Sequence, residues 1–132
     1  MEQVISGVHH IALKCSDSAE FQRTLKFYTE VLGLPLKRSW GEGDGAGAML
    51  TLGGSLMEIF ASGKASGSTG SVNHFALAVS DVDGLVERIR TAGYAITVEP
   101  KDIAIPSEPP FPARIAFCVG PVGEEIELFC EK

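Results

Sequence analysis

Two histidines and two glutamates stand at matching places in a sequence that repeats itself. The segments His10-Ile-Ala-Leu-Lys-Cys-Ser-Asp17 and His74-Phe-Ala-Leu-Ala-Val-Ser-Asp81 agree at five of eight positions. With residue frequencies near ~7%, such agreement at any one offset has odds of about one in ten thousand. Each half then closes on an apolar segment with a central acid: Leu56-Met57-Glu58-Ile59-Phe60 and Glu125-Ile126-Glu127-Leu128-Phe129. Side chains alternate along an extended chain. His10 therefore shares a face with Ala12 and Lys14, opposite Ile11, Leu13 and Cys15. His74 shares one with Ala76 and Ala78, opposite Phe75, Leu77 and Val79. The small neighbours leave room for a ligand. Glu58 lies with Leu56 and Phe60, and Glu127 with Glu125 and Phe129, opposite the aliphatic Met57/Ile59 and Ile126/Leu128. If the two halves curl together, two imidazoles and two carboxylates converge. A buried carboxylate is costly unless paired, protonated or bound to a cation. A divalent metal meets that demand: two nitrogens and two anionic oxygens suit zinc, nickel, cobalt, manganese or iron, and the charges sum to zero. The absence of thiolates argues against a structural zinc cage.

The elements that must position these residues form a βαβββ unit, present twice, which makes the chain α+β. Asp17 caps the first helix with Glu20 three residues on, as in a capping box, and Phe21, Leu25, Tyr28 and Leu32 make its buried stripe up to Gly33. In the second unit Asp81 caps, Leu85, Ile89 and Ala92 share a face, and Gly93 takes the left-handed position past the end. Segments near Leu36–Trp40, Ala48–Leu52, Ala95–Glu99 and Arg114–Val119 have strand composition between turn residues. Gly41 to Gly47 reads as a hairpin, since no strand-to-helix context supports a phosphate loop. The proline-bearing stretch from Lys101 to Pro112 reads as a surface connection. The whole chain, 1–132, is expected to be one domain: module one about 5–62, a Gly/Ser-rich linker about 62–71, and module two about 72–132.

Composition narrows the function classes. The 132 residues carry 45% apolar and 21% charged side chains, enough for one ordinary core. A net charge of −6 opposes nucleic-acid binding. No apolar run could span a bilayer and the N-terminus lacks a signal-peptide pattern, so a cytoplasmic location and no membrane partner are expected. Cys15, Cys118 and Cys130 form no C-x-x-C pair and read as small buried hydrophobes. His9 adjoins His10 but by alternation points away, and is given no role beyond the surface or an outer contact.

These motifs, together with Phe27-Tyr28 through Leu32-Gly33 and the terminal Gly123-Glu-Glu-Ile-Glu127-Leu, resemble the vicinal oxygen chelate superfamily over nearly the whole chain. That superfamily includes glyoxalase I, methylmalonyl-CoA epimerase, extradiol dioxygenases, and fosfomycin and bleomycin resistance proteins. The resemblance implies paired modules in a cupped, incompletely closed mixed sheet with helices outside, often assembled as a homodimer. It matches His10, Glu58, His74 and Glu127 to the four metal ligands of the glyoxalase I pattern, with nickel, cobalt or zinc as cofactor. Other members usually lack an equivalent of Glu58, so a glyoxalase I-like lyase or isomerase is the nearest match. It would act through an enediolate on a small substrate with vicinal oxygens, with Glu127 as the first choice of base and Glu58 serving the opposite face. An acyl-CoA epimerase and a non-catalytic, antibiotic-binding protein stay open. The glutathione-dependent pattern has Arg where Lys14 stands and Asn at Ser62, and its usual turn is replaced by Gly120-Pro-Val-Gly123. These differences put glutathione in doubt, because an ammonium is a poorer bidentate clamp than a guanidinium. Lys14, Phe60, Ser62 and Phe129 are the candidate substrate-pocket residues, the two phenylalanines as apolar walls.

Overall fold

The structure, a computed structural model, describes residue 4 and residues 7–63, 73–107 and 109–132. The chain divides into two compact units, Met1–Ala65 and Ser66–Lys132. Most of the Gly/Ser-rich stretch expected to link them lies outside the described residues.

The first unit runs β1 (His10–Lys14), α1 (Ser18–Lys26), β2 (Leu36–Trp40), β3 (Gly47–Leu52) and β4 (Ser55–Phe60). Its four strands lie in the order β1-β4-β3-β2, with β1 parallel to β4 and the other neighbours antiparallel. The alternation read from sequence sets its two faces. Met57 and Ile59 of β4 are fully buried, as are Ala48 and Leu50 of β3, while Glu58 and Phe60 on the opposite face are only partly covered. Burying side chains of this size contributes roughly 1.5–3 kcal/mol each. Helix α1 packs against β4.

Asp17 caps α1 as expected, accepting from the Glu20 amide at 2.8 Å. The Glu20 carboxylate reaches one residue further back than a capping box would, to the Ser16 amide at 2.8 Å. The buried stripe differs from the expected one. Phe21, Thr24, Phe27 and Tyr28 are buried, and Leu25 and Leu32 only partly so. Phe21, Thr24 and Tyr28 share one face of the regular helix, at i, i+3 and i+7. A wider π-type turn follows over Phe27–Val31, in which the Leu32 amide bonds the Phe27 carbonyl five residues back at 3.0 Å, and the consecutive rings of Phe27 and Tyr28 meet edge to face at 5.0 Å. Thr24 is tolerated in the core because its hydroxyl donates to the Glu20 carbonyl at 2.8 Å.

The second unit repeats the order with β5 (Phe75–Ala78), α2 (Val82–Thr91), β6 (Ile96–Ile105), β7 (Phe111–Val119) and β8 (Glu125–Glu131), arranged β5-β8-β7-β6 with β5 parallel to β8. Asp81 caps α2 through the Gly84 amide at 2.9 Å. Gly33 and Gly93, just past the two helical segments, have φ of 78° and 94°, where a side chain would be strained. Val82, Val86 and Ile89 are the buried stripe of α2. Leu85 is only partly covered and Ala92 is exposed, because the stripe starts directly after the cap, one turn earlier than expected.

The Lys101-to-Pro112 stretch lies at the surface but is chiefly strand rather than a plain connection: β6 runs to Ile105 and β7 begins at Phe111. Proline is accommodated because β6 is an edge strand and Pro100 sits where the register slips between Val98/Phe117 and Lys101/Ile115. Cys15 and Cys118 are buried as expected, but Cys130 is only partly so. Both sheets are mixed and open, and the fold is α+β. No helix among the described residues is long and apolar enough to cross a membrane.

Candidate metal centre

Within each unit the pairing of the first strand with the last brings one histidine to one glutamate. In the first, Ala12 stands directly opposite Glu58 across the parallel β1–β4 pair. His10, two residues earlier on the same face, leans diagonally past that alanine, placing Nε2 3.6 Å from Glu58 Oε1. In the second, Ala76 stands directly opposite Glu127, and Nε2 of His74, immediately before β5, lies 3.2 Å from Glu127 Oε1. The same offset, the same small residue and the same atoms recur. The carboxylates are the more enclosed partners, their side chains 15% and 12% exposed against 41% and 34% for the histidines.

The donor chemistry of each pair fits a divalent cation. Nitrogen and oxygen ligands sit about 2.0–2.2 Å from zinc, so adjacent donors on one tetrahedral ion stand roughly 3.3–3.6 Å apart. The His10–Glu58 separation of 3.6 Å falls at the upper end of that range and the His74–Glu127 separation of 3.2 Å just below it. Each pair alone supplies two donors. Among the described residues no group of three or more His, Cys, Asp or Glu side chains gathers into a metal-holding cluster.

The neighbours of the two pairs differ. Across the sheet Glu58 faces Met49, whose sulfur accepts from Arg38 Nη1 at 3.2 Å. Glu127 faces Phe117, whose ring meets that of His74 edge to face at 5.3 Å. Of the pocket candidates, Lys14 shares the His10 face and stands opposite Phe60, and Ser62 is exposed just beyond β4. Phe60 pairs with Trp40 at 6.4 Å and Phe129 with Phe111 at 5.8 Å, so each phenylalanine belongs to a small aromatic wall beside its glutamate. The Gly120-Pro-Val-Gly123 turn is closed by Glu124, which accepts from the Val122 amide at 2.8 Å.

Sequence reasoning missed two contacts. His9 does not point away: its Nδ1 lies 3.0 Å from His10 Nδ1. At the equivalent place Asn73 Oδ1 lies 2.7 Å from His74 Nδ1. Strand structure begins at His10 and Phe75, so alternation does not govern the residues before the two histidines. The available signal was the repeat itself, which places a hydrogen-bonding side chain ahead of each histidine.

Comparison with known proteins agrees with this architecture. Residues 7–107 match the family model for the Glyoxalase/Bleomycin resistance protein/Dioxygenase superfamily. No curated protein matches. Among solved structures, the trypanothione-dependent glyoxalase I of Leishmania major is 28% identical, covering 92% of this chain and 84% of that one, with a TM-score of 0.65. TnmS3, an antibiotic-binding protein from Streptomyces sp. CB03234, is 21% identical over 99% of this chain and 100% of its own, with a TM-score of 0.73. The fosfomycin resistance protein FosX from Listeria monocytogenes is 21% identical over 98% and 96%, with a TM-score of 0.71. With a family match over most of its length and these structural likenesses, the chain belongs to the glyoxalase/bleomycin resistance protein/dioxygenase superfamily.

Proposed function

We propose that this chain is a metal-dependent lyase or isomerase of glyoxalase I type, acting through an enediolate on a small substrate with vicinal oxygens. The reading assigns His10, Glu58, His74 and Glu127 to one divalent ion, nickel, cobalt or zinc. The observation that carries it is the repeated His–Glu pair, at 3.6 Å in one unit and 3.2 Å in the other. A protein that only sequesters a small molecule has no need of two such carboxylates. When bound, the ion would supply Lewis acidity toward the two substrate oxygens.

The chain's own residues would do the rest. Glu127, largely enclosed beside Phe117 and Phe129, would take the proton from the hydroxyl-bearing one of the two adjacent oxygen-bearing carbons, and the proton would return to its neighbour to complete the isomerisation. Glu58 would serve the opposite face. The aromatic pairs Trp40/Phe60 and Phe111/Phe129 would exclude water. Lys14 would offer a single positive charge to an anionic part of the substrate, without the fork of an arginine. The reading extends to a homodimer, since each sheet leaves two edge strands.

The test is elemental analysis of untagged protein, then turnover of methylglyoxal hemithioacetals made with several thiols. One ion per chain and turnover lost on chelation are expected. Metal content near zero under nickel, cobalt and zinc loading would overturn the reading. Deuterium exchange into methylmalonyl-CoA would replace the lyase with an epimerase.

A further inference from the structure

We infer that Asn73 and His9 are positioning residues that hold the two imidazoles with the proton on Nδ1, so that each Nε2 keeps its lone pair for a cation. The inference rests on the metal reading but is read out separately from it.

An amide oxygen only accepts hydrogen bonds, so the 2.7 Å contact from His74 Nδ1 to Asn73 Oδ1 requires the proton on Nδ1. A neutral imidazole carries one proton, which leaves Nε2 bare. In the neutral ring that nitrogen stands 3.2 Å from a carboxylate oxygen, two lone-pair atoms facing each other, an arrangement that a shared cation reconciles. Outer partners of this kind set the tautomer and aim of ligating histidines.

The first unit repeats the contact with different chemistry. His9 Nδ1 lies 3.0 Å from His10 Nδ1, a distance that makes a hydrogen bond when one of the two carries the proton. With His10 donating and His9 accepting, His10 Nε2 is bare toward Glu58, 3.6 Å away, as in the second unit. The two partners are not equivalent. Asn73 accepts through Oδ1 in the orientation seen and becomes a donor only if its amide turns over, whereas His9 accepts through Nδ1 only while its own proton sits on Nε2.

Long-range proton–nitrogen NMR of the metal-free, labelled full-length chain reads the tautomers directly, and competition with a chromophoric chelator reads zinc affinity. The wild type is expected to show His10 and His74 as Nδ1–H tautomers. Asn73→Leu is expected to move His74 toward a tautomer mixture and lower zinc affinity about tenfold. His9→Leu should do the same to His10, and His9→Asn should restore the wild-type tautomer. Nε2–H or doubly protonated rings in the wild type at pH 8.5 would overturn the inference, as would an unchanged His74 tautomer in Asn73→Leu. If Asn73→Leu fails to fold, the His9→Leu and His9→Asn comparison decides alone. Nδ1–H tautomers in a wild type that binds no zinc would sink the metal reading and leave the positioning role standing.

Discussion

Ala76 is the direct cross-strand partner of Glu127, and its methyl group is what leaves His74 room to reach that carboxylate. A larger side chain at this register position would fill the diagonal path between imidazole and acid. Ala76→Leu is therefore expected to weaken zinc binding by about tenfold or more, with Ala12→Leu doing the same in the first unit. Both alanines are exposed, so thermal stability should stay within about 0.5 kcal/mol of wild type. Calorimetric zinc titration beside a thermal melt separates the two effects. Unchanged affinity in both variants would show that the space is not needed.

Glu127→Gln keeps the shape and one oxygen donor while removing the ability to accept a proton. Metal content should fall but persist, and turnover should drop by ~10²–10⁴-fold if the carboxylate is the base. Metal analysis and rate must be read on the same sample, because only their divergence identifies proton transfer. Full turnover in this variant removes Glu127 from that role.

Most of this arrangement is written in the local pattern. Alternation alone places Glu58 and Glu127 opposite the Met57/Ile59 and Ile126/Leu128 faces, and Asp17 and Asp81 announce their helices, because each rests on short-range geometry. What escapes is set by register and by breaks in regularity. Thr24 takes the core place read for Leu25 because its hydroxyl bonds back to the helix, and the π-type turn over Phe27–Val31 is a widening that 3.6-residue periodicity does not contain. Pro100 looks like a strand breaker until the edge position of β6 and the slipped register that tolerate it are known. Phe117 meets His74 only because β7 pairs it with Glu127.

Arg114 ties α2 to the sheet, bonding Asp83 through Nε at 2.6 Å and Nη2 at 2.8 Å, and Asp102 through Nη1 at 3.1 Å. The Arg114 hydrogen bonds hold Asp83 below its ordinary value of 3.8. Those of Lys132 first, and then Arg114, do the same for Asp102. A carboxyl depressed in the native state contributes stability that is present above its unfolded value and is lost as pH falls through the native one. Arg114→Met should therefore lower stability at pH 6, and the gap to wild type should close as pH falls beneath both values. Urea melts across pH 2 to 6 measure this. A gap independent of pH would assign the loss to packing, and because the cluster is exposed, added salt should shrink it.

The three thiols differ in what they can react with. Burial, followed by the nearby Glu124 charge, pushes Cys118 up to about 12, so it holds almost no thiolate at neutral pH. Cys15 is fully buried, and its sulfur donates to the Thr24 hydroxyl at 3.6 Å. Cys130 alone of the three is partly open, near the end of β8. Native protein treated with a disulfide reagent at pH 7.5 is expected to release one fast equivalent, with two more only after denaturation. Cys130→Ser should abolish the fast phase and leave zinc affinity unchanged, since no thiol belongs to the proposed ligand set. A fast phase that survives this substitution would mean that the core around Cys15 or Cys118 opens far more readily than its packing implies.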